Sequence, residues 1–202
     1  PNCVHFSEIE EAKSLGVHIN IDNISILEQF GNTYGGSYPI MVRLNPHIMA
    51  GGNLKISTGH IDSKFGISIH QLRHIERIVK TTGLNVEGLH MHTGSEIKDV
   101  QVFLQGLAIM LELTTHFPNI KYLDLGSGFK VPYAPDEKAT DVELLGQKMQ
   151  ETLNTFTHET GKELEIWFEP GKYLVSESGY FISRVNTVKQ TPGTVFAGVD
   201  TG

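Results

Sequence analysis

The amino-acid sequence predicts an α/β chain folded as part of a (β/α)8 barrel and leading into the first strands of a β-domain. Three observations carry this. Strand and helix signals alternate about five times, which calls for a parallel sheet. Each strand run has one apolar face, fit to lie under helices, while the other turns polar near the carboxyl end, where such a barrel keeps its site. A doubly wound sheet would instead bury both faces of its central strands. Third, about five units do not close eight strands, and the chain opens on Pro1 and stops at Gly202 after a strand-like run, so both ends are expected to be cuts in a longer polypeptide. The expected division is a partial barrel over 1–178 and strands leading towards a β-domain over 179–202.

The elements follow in order. Ser7 with Glu10 makes a capping box for a first helix that Gly16 closes. Val17 to Ile21 is a β-branched strand run, and Asp22 or Asn23 caps a second helix ending near Gly31. Ile40 to Leu44 is a strand whose Ile40, Val42 and Leu44 oppose Met41, Arg43 and Asn45; a glycine-rich loop then runs to Gly66. Ser68 with Gln71 caps a helix carrying Ile69, Leu72, Ile75 and Ile78 on one face, with Gly83 beyond its end. In the strand Val86 to His92, positions 86, 88, 90 and 92 share a face opposite Leu89 and Met91. Val100, Phe103, Leu104, Leu107 and Leu111 mark a helical stripe ending before Pro118. Tyr122 to Leu125 is a strand, Thr140 with Glu143 caps a helix to about Thr160, and Leu164 to Phe168 is a strand that points Glu169 inward. Residues 179–188 and 195–199 read as two strands with no helix between them.

Composition excludes several functions. The 202 residues carry a net charge of −7 with no arginine or lysine cluster, which argues against a nucleic-acid partner. No apolar run approaches the roughly 20 residues that cross a bilayer, and residues 1–16 lack the pattern of a signal peptide. A single cysteine, Cys3, rules out an internal disulfide framework and a multi-cysteine metal site. A cytoplasmic protein with no membrane partner is expected.

Four clusters could carry chemistry, and each has a plainer reading. Gly126-Ser127-Gly128 after a strand lets backbone N–H groups approach an anion, or is simply a turn. His90 and His92 face the same way, as zinc ligands, as packed histidines, or with a ring laid on a flat cofactor. The zinc set does not fill, because His116 and His158 fall in or beside helices, and no metal is expected. Glu169, before Pro170 and Gly171, is a solvated strand cap or a carboxylate able to pair with a protonated ring nitrogen. Ile56 to Gly59 with Ser63 to Ile67 read as loop chemistry alone.

Taken together, Arg43-Leu44-Asn45-Pro46, Ile56 to Gly59, Ser63 to Ile67, His90 to Ser95, Asp124 to Phe129, Glu169 to Val175 and Val199 to Gly202 resemble the fold-type III enzymes of pyridoxal 5'-phosphate (PLP). These are alanine racemase-like TIM barrels, and within them the chain is most similar to the diaminopimelate decarboxylase family. The resemblance covers essentially the whole chain. It implies PLP as cofactor, with His92 stacked on the ring, Ser95 and the backbone of Gly126, Ser127 and Gly128 on the phosphate, and Glu169 facing the pyridine nitrogen. Pro170 continues that segment, Gly171 and Lys172 line the phosphate and substrate side, and Lys172 contacts substrate. Glu169 and His92 are the expected catalytic pair. Racemases of this fold place arginine opposite the ring nitrogen, so Glu169 favours a decarboxylase.

The implied reaction converts meso-diaminopimelate to L-lysine, within lysine biosynthesis, on a small amino-acid substrate in a homodimer. The alternatives are decarboxylation of ornithine, arginine or carboxynorspermidine, a His-x-His metallohydrolase, and a non-catalytic module. Two departures stand out. Ser127 interrupts the family's glycine triplet, and Lys172 replaces an arginine whose fork grips carboxylate or phosphate where lysine offers a point charge. In addition, no lysine has the context of the one that bonds the cofactor, so the chain alone is expected not to form that bond.

Overall fold

The computed structural model describes residues 2–48 and 63–201, so the expectation for Ile56 to Gly59 lies outside the described residues. The first helix, α1 (Phe6–Ser14), starts earlier than Ser7 predicts. His5 is its N-cap: its Nδ1 accepts from the Ser7 N–H and Glu8 Oε1 accepts from the His5 N–H at 2.9 Å. That start places Phe6 with Ile9 on the buried face, where Phe6 packs edge-on to Phe30. Gly16, at φ 70°, turns the chain out as expected.

The strand β1 is only Asn20–Ile21, and Asn23 caps α2 (Ile24–Tyr34). Gly31 does not end α2. A Cβ there would meet the Thr82 hydroxyl at 2.5 Å, so this glycine lets α2 lie close to α3 (Leu72–Thr82). The strand β2 (Ile40–Asn45) matches expectation, and β3 (Ile67–Ser68), hidden in what reads as loop, pairs with its carboxyl end. Ser68 caps a 3-10 turn over Ile69–Gln71 that leads into α3, and Gly83 closes α3 in the left-handed region.

The strand β4 covers Val86–His90, α4 Val100–Leu113, β5 Tyr122–Asp124, α5 Val142–Thr160 and β6 Glu165–Trp167. The α5 N-cap is Asp141, whose Oδ1 accepts from the Leu144 N–H at 2.9 Å. Thr140 does other work: its hydroxyl accepts from the Lys130 N–H at 2.7 Å and donates to the Ile97 carbonyl at 2.6 Å. A short helix, α6 (Gly171–Val175), follows Pro170 where the sequence signalled only a turn. The tail is a separate antiparallel pair, β7 (Val185–Gln190) and β8 (Val195–Val199).

The parallel strands run in the order β1-β2-β4-β5-β6, which is chain order, with β3 set against β2. A doubly wound sheet reverses direction at a switch point; here each strand is laid beside the last, as in an arc of a barrel. The registers Arg43 to His90 and His90 to Asp124 put three polar side chains on one face, which Met41, Gly88 and Trp167 share. The opposite face carries Val42, Leu44, Leu89 and Leu123, all buried against Leu27, Phe30, Ile75, Phe103 and Leu107 of the helices.

Candidate active site

The inner face of the arc has two tiers. Towards the amino ends, the rings of His18, Tyr122 and Trp167 pack together, with the Tyr122 and Trp167 centroids 4.6 Å apart. Above them stand Asn20, Arg43, His90, Asp124 and Glu169. Period-two alternation along each strand brings them to one face near the carboxyl ends.

The loops after β4, β5 and β6 are tied to one another by backbone. The Glu169 N–H donates to the Gly126 carbonyl at 2.7 Å, and the Ile97 N–H donates to the Gly128 carbonyl at 2.8 Å. The Ser127 N–H donates to His92 Nδ1 at 3.2 Å and fixes that ring. Gly126 (φ 64°) must be glycine: a Cβ would meet His92 Nδ1 and the Met91 carbonyl at 2.7 Å. Gly128 (φ 109°) is equally constrained, because a Cβ would run into the Gly94 carbonyl. Ser127 has no positive φ, so the interruption of the glycine triplet carries no backbone strain. Ser95 is half-buried between Gly94, which backs Gly128, and Ile97, which bridges to Phe129.

Charge is balanced tightly here. Burial pushes the Asp124 carboxyl above its ordinary value, against the pull of His90, the Gly126 N–H and Arg43. That carboxylate accepts from the Gly126 N–H at 2.8 Å and so sets the glycine turn. Burial, with the charges of Arg43 and His90, lowers the His92 pKa and keeps its imidazole neutral. Glu169 lies below the usual carboxylate range, chiefly through His90 and then through His92 and Arg43. Burial also lowers Arg43, while Asp22, Glu169 and Asp124 pull it back.

The sequence-predicted residues His92, Gly126, Ser127, Gly128 and Glu169 are therefore neighbours, and Pro170 caps the turn into α6 with Gly171 at its first position. The Lys172 ammonium is ion-paired with Glu96, which also pairs with Lys130 at 3.2 Å. Lys130 in turn reaches Glu137 at 3.1 Å. Residues not singled out by the sequence are Asn20, Arg43, Glu96, Asp124, Lys130 and Thr140. For Arg43 and Asp124 a signal existed, a charge on the inward face at a strand end. Glu96, Lys130 and Thr140 gave none, since each acts through a partner distant in the chain.

Among the described residues, one trio of potential metal ligands converges: His90, Asp124 and Glu169, with ligand atoms within 4.8 Å of one another. His92 is not in it, which weakens the His-x-His metallohydrolase alternative. Among the described residues no helix is long and apolar enough to cross a membrane.

The family model for the pyridoxal-dependent decarboxylase, pyridoxal binding domain, matches residues 1–176. The chain is 30% identical over 207 residues to the diaminopimelate decarboxylase of Methanothermobacter thermautotrophicus, covering 100% of this chain and 48% of the relative. A crystal structure of diaminopimelate decarboxylase superposes with a TM-score of 0.85 at 27% identity, covering 100% of this chain and 48% of that one. The enzyme of Helicobacter pylori, complexed with L-lysine, gives 0.80 at 26% identity, covering 98% and 50%. The chain thus spans about half the length of the curated relatives it matches.

Proposed function

The chain belongs to the pyridoxal-dependent decarboxylases, matched through their pyridoxal binding domain, and from that premise we propose that the protein decarboxylates meso-diaminopimelate to L-lysine with PLP held at the strand ends. The observation that carries this is the convergence of His92, the Gly126–Gly128 turn and Glu169, joined by the Ser127 to His92 and Glu169 to Gly126 hydrogen bonds. These residues fit the cofactor's chemistry. Gly128, where no Cβ fits, lets the backbone of the turn approach an anion closely, and the bonds from the Gly126 and Ser127 N–H groups to Asp124 and His92 hold that turn in shape. A neutral imidazole offers a flat face, and an ionised carboxylate stands across from it.

Bound there, the cofactor supplies the sink for the electron pair released at the α-carbon when CO2 departs. The chain's residues do the rest. Ser95 and the Gly128 N–H would hold the phosphate, while the Gly126 and Ser127 N–H groups, committed to Asp124 and His92, fix the turn. His92, braced by the Ser127 N–H, lies along the ring. Glu169 keeps a proton on the ring nitrogen and so deepens the sink. Gly171 and Lys172 line the phosphate and substrate side, with Lys172 steered by Glu96. Substrate identity draws support from the L-lysine bound by the H. pylori relative. A homodimer in the cytoplasm and a boundary between a barrel at 1–178 and a β-domain from 179 belong to the same proposal. Supporting that boundary, β7 and β8 form a sheet separate from the parallel one.

The test is CO2 release by the full-length protein from meso-diaminopimelate, ornithine, arginine and carboxynorspermidine, with PLP followed by absorbance. Turnover restricted to meso-diaminopimelate is the expected result. Preference for another of the four replaces the substrate, and turnover without PLP overturns the mechanism.

A further inference from the structure

We infer that His90 is a positioning residue for Glu169: its Nε2–H orients the carboxylate toward the cofactor's ring nitrogen, and Asn20 fixes the imidazole tautomer that makes this possible. The inference rests on the proposed pairing of Glu169 with that nitrogen.

His90 is 3% exposed and sits on the inner face of the arc at the end of β4. Both ring nitrogens of a buried imidazole need partners, because neither reaches water. Asn20 Nδ2, on β1, lies 2.5 Å from His90 Nδ1. An amide N–H has only a proton to offer, so Nδ1 accepts and the ring proton resides on Nε2. Among the described residues, Nε2 is buried with no hydrogen bond, and the carboxylate oxygen nearest to it is Glu169 Oε2 at 3.5 Å. Asp124 stands farther off, its ligand atom within 4.8 Å of that of His90 but not within the 4.0 Å reached by Glu169. The Glu169 side chain is 56% exposed, which leaves room for another rotamer. Turning it closes a charge-assisted hydrogen bond, which costs less than leaving a buried donor unmet.

The surroundings agree. Glu169 is faced by His90 from β4 and His92 just beyond it, Arg43 from β2 and Asp124 from β5, while Asp22 acts on Arg43. Of these groups, His90 does most to keep the carboxyl ionised. Arg43 contributes charge but not direction. A carboxylate on an exposed strand end without a fixed donor samples several rotamers. Among the described residues, the side-chain N–H that comes within 4.0 Å of this carboxylate is that of His90, at 3.5 Å.

The experiment loads the full-length enzyme with PLP carrying 15N at the ring nitrogen and follows that nitrogen's chemical shift with pH. The midpoint of ring deprotonation reports how well Glu169 holds the proton. Glu169→Gln is expected to lower it most. His90→Asn keeps a group near Nδ1 but nothing at Nε2, and lowers it by about one pH unit, a tenfold change in the ionisation constant. His90→Gln restores an N–H near the Nε2 position and returns the midpoint close to that of the parent. Equal midpoints for His90→Asn, His90→Gln and the parent, or equal losses in both variants, overturn the role of His90. A midpoint that ignores Glu169→Gln overturns instead the pairing on which the inference rests.

Discussion

The two faces of the same strands obey different rules. On the outer face, Val42, Leu89 and Leu123 are fully buried under α2, α3 and α4, each within one continuous apolar core. On the inner face, one residue away along each strand, stand Arg43, His90 and Asp124. Hydrophobic transfer holds the first set, and any side chain of like volume serves. The second set is held by hydrogen bonds and charges that must match partner by partner. Stability should therefore reside on one face and chemistry on the other, and substitutions can test that separation.

The largest effect is expected at Glu169. Glu169→Ala in the full-length enzyme should lower kcat on the order of 10^3-fold, as for loss of a group that stabilises charge at the reacting centre, with PLP absorbance and the thermal midpoint kept. Unchanged turnover removes this residue from the mechanism. Next comes Leu89, completely buried on the outer face. Leu89→Ala should cost about 3 kcal/mol in denaturant unfolding while leaving the PLP spectrum of the folded fraction unaltered; an altered spectrum would mean that the faces are not separable.

Gly126→Ala joins both penalties, at a φ of 64° and with His92 and the Met91 carbonyl in the way. A loss of about 2 kcal/mol, together with a weaker PLP Kd, is expected by titration. Smaller still is a pH effect. His92 resists protonation in the folded chain, whereas the unfolded chain takes up its proton near 6.5. Its contribution to stability therefore falls as pH drops below that value. Glu169, depressed below 4.5, acts in a lower window, losing its contribution only as pH falls through its folded value. Thermal midpoints of parent and His92→Gln should converge above pH 7 in slope and diverge below 6.5. The smallest change belongs to neither face: Val188 in β7 is 65% exposed, and Val188→Thr should move stability by no more than about 0.5 kcal/mol.

Much of the fold was legible because alternation is a local property. The strand faces of Ile40 to Asn45 and of Val86 onward could be read two residues at a time, and Gly16, Asn23 and Gly83 marked element ends by their turn chemistry. Errors fell where local signals compete. Ser7 with Glu10 has the form of a capping box, but burying Phe6 moved the start to His5. Thr140 resembles a cap, yet its hydroxyl clips the loops after β4 and β5. Gly31 resembles a stop and instead makes room for Thr82. In the candidate site, the family pattern picked out His92, the glycine turn and Glu169, included Asp124 without giving it a role, and passed over Asn20.

By itself, then, the sequence determined the order of elements, the apolar face of each strand and the residue types at the strand ends, since all of these follow from spacing along a single segment. Only the tertiary structure decided that His90 rather than His92 turns towards Glu169, that Asn20 meets His90 across 70 positions, and that Lys172 is paired with Glu96 across 76. Those pairings depend on registers between strands and on loops brought together by the curvature of the arc. No periodicity within one element encodes them.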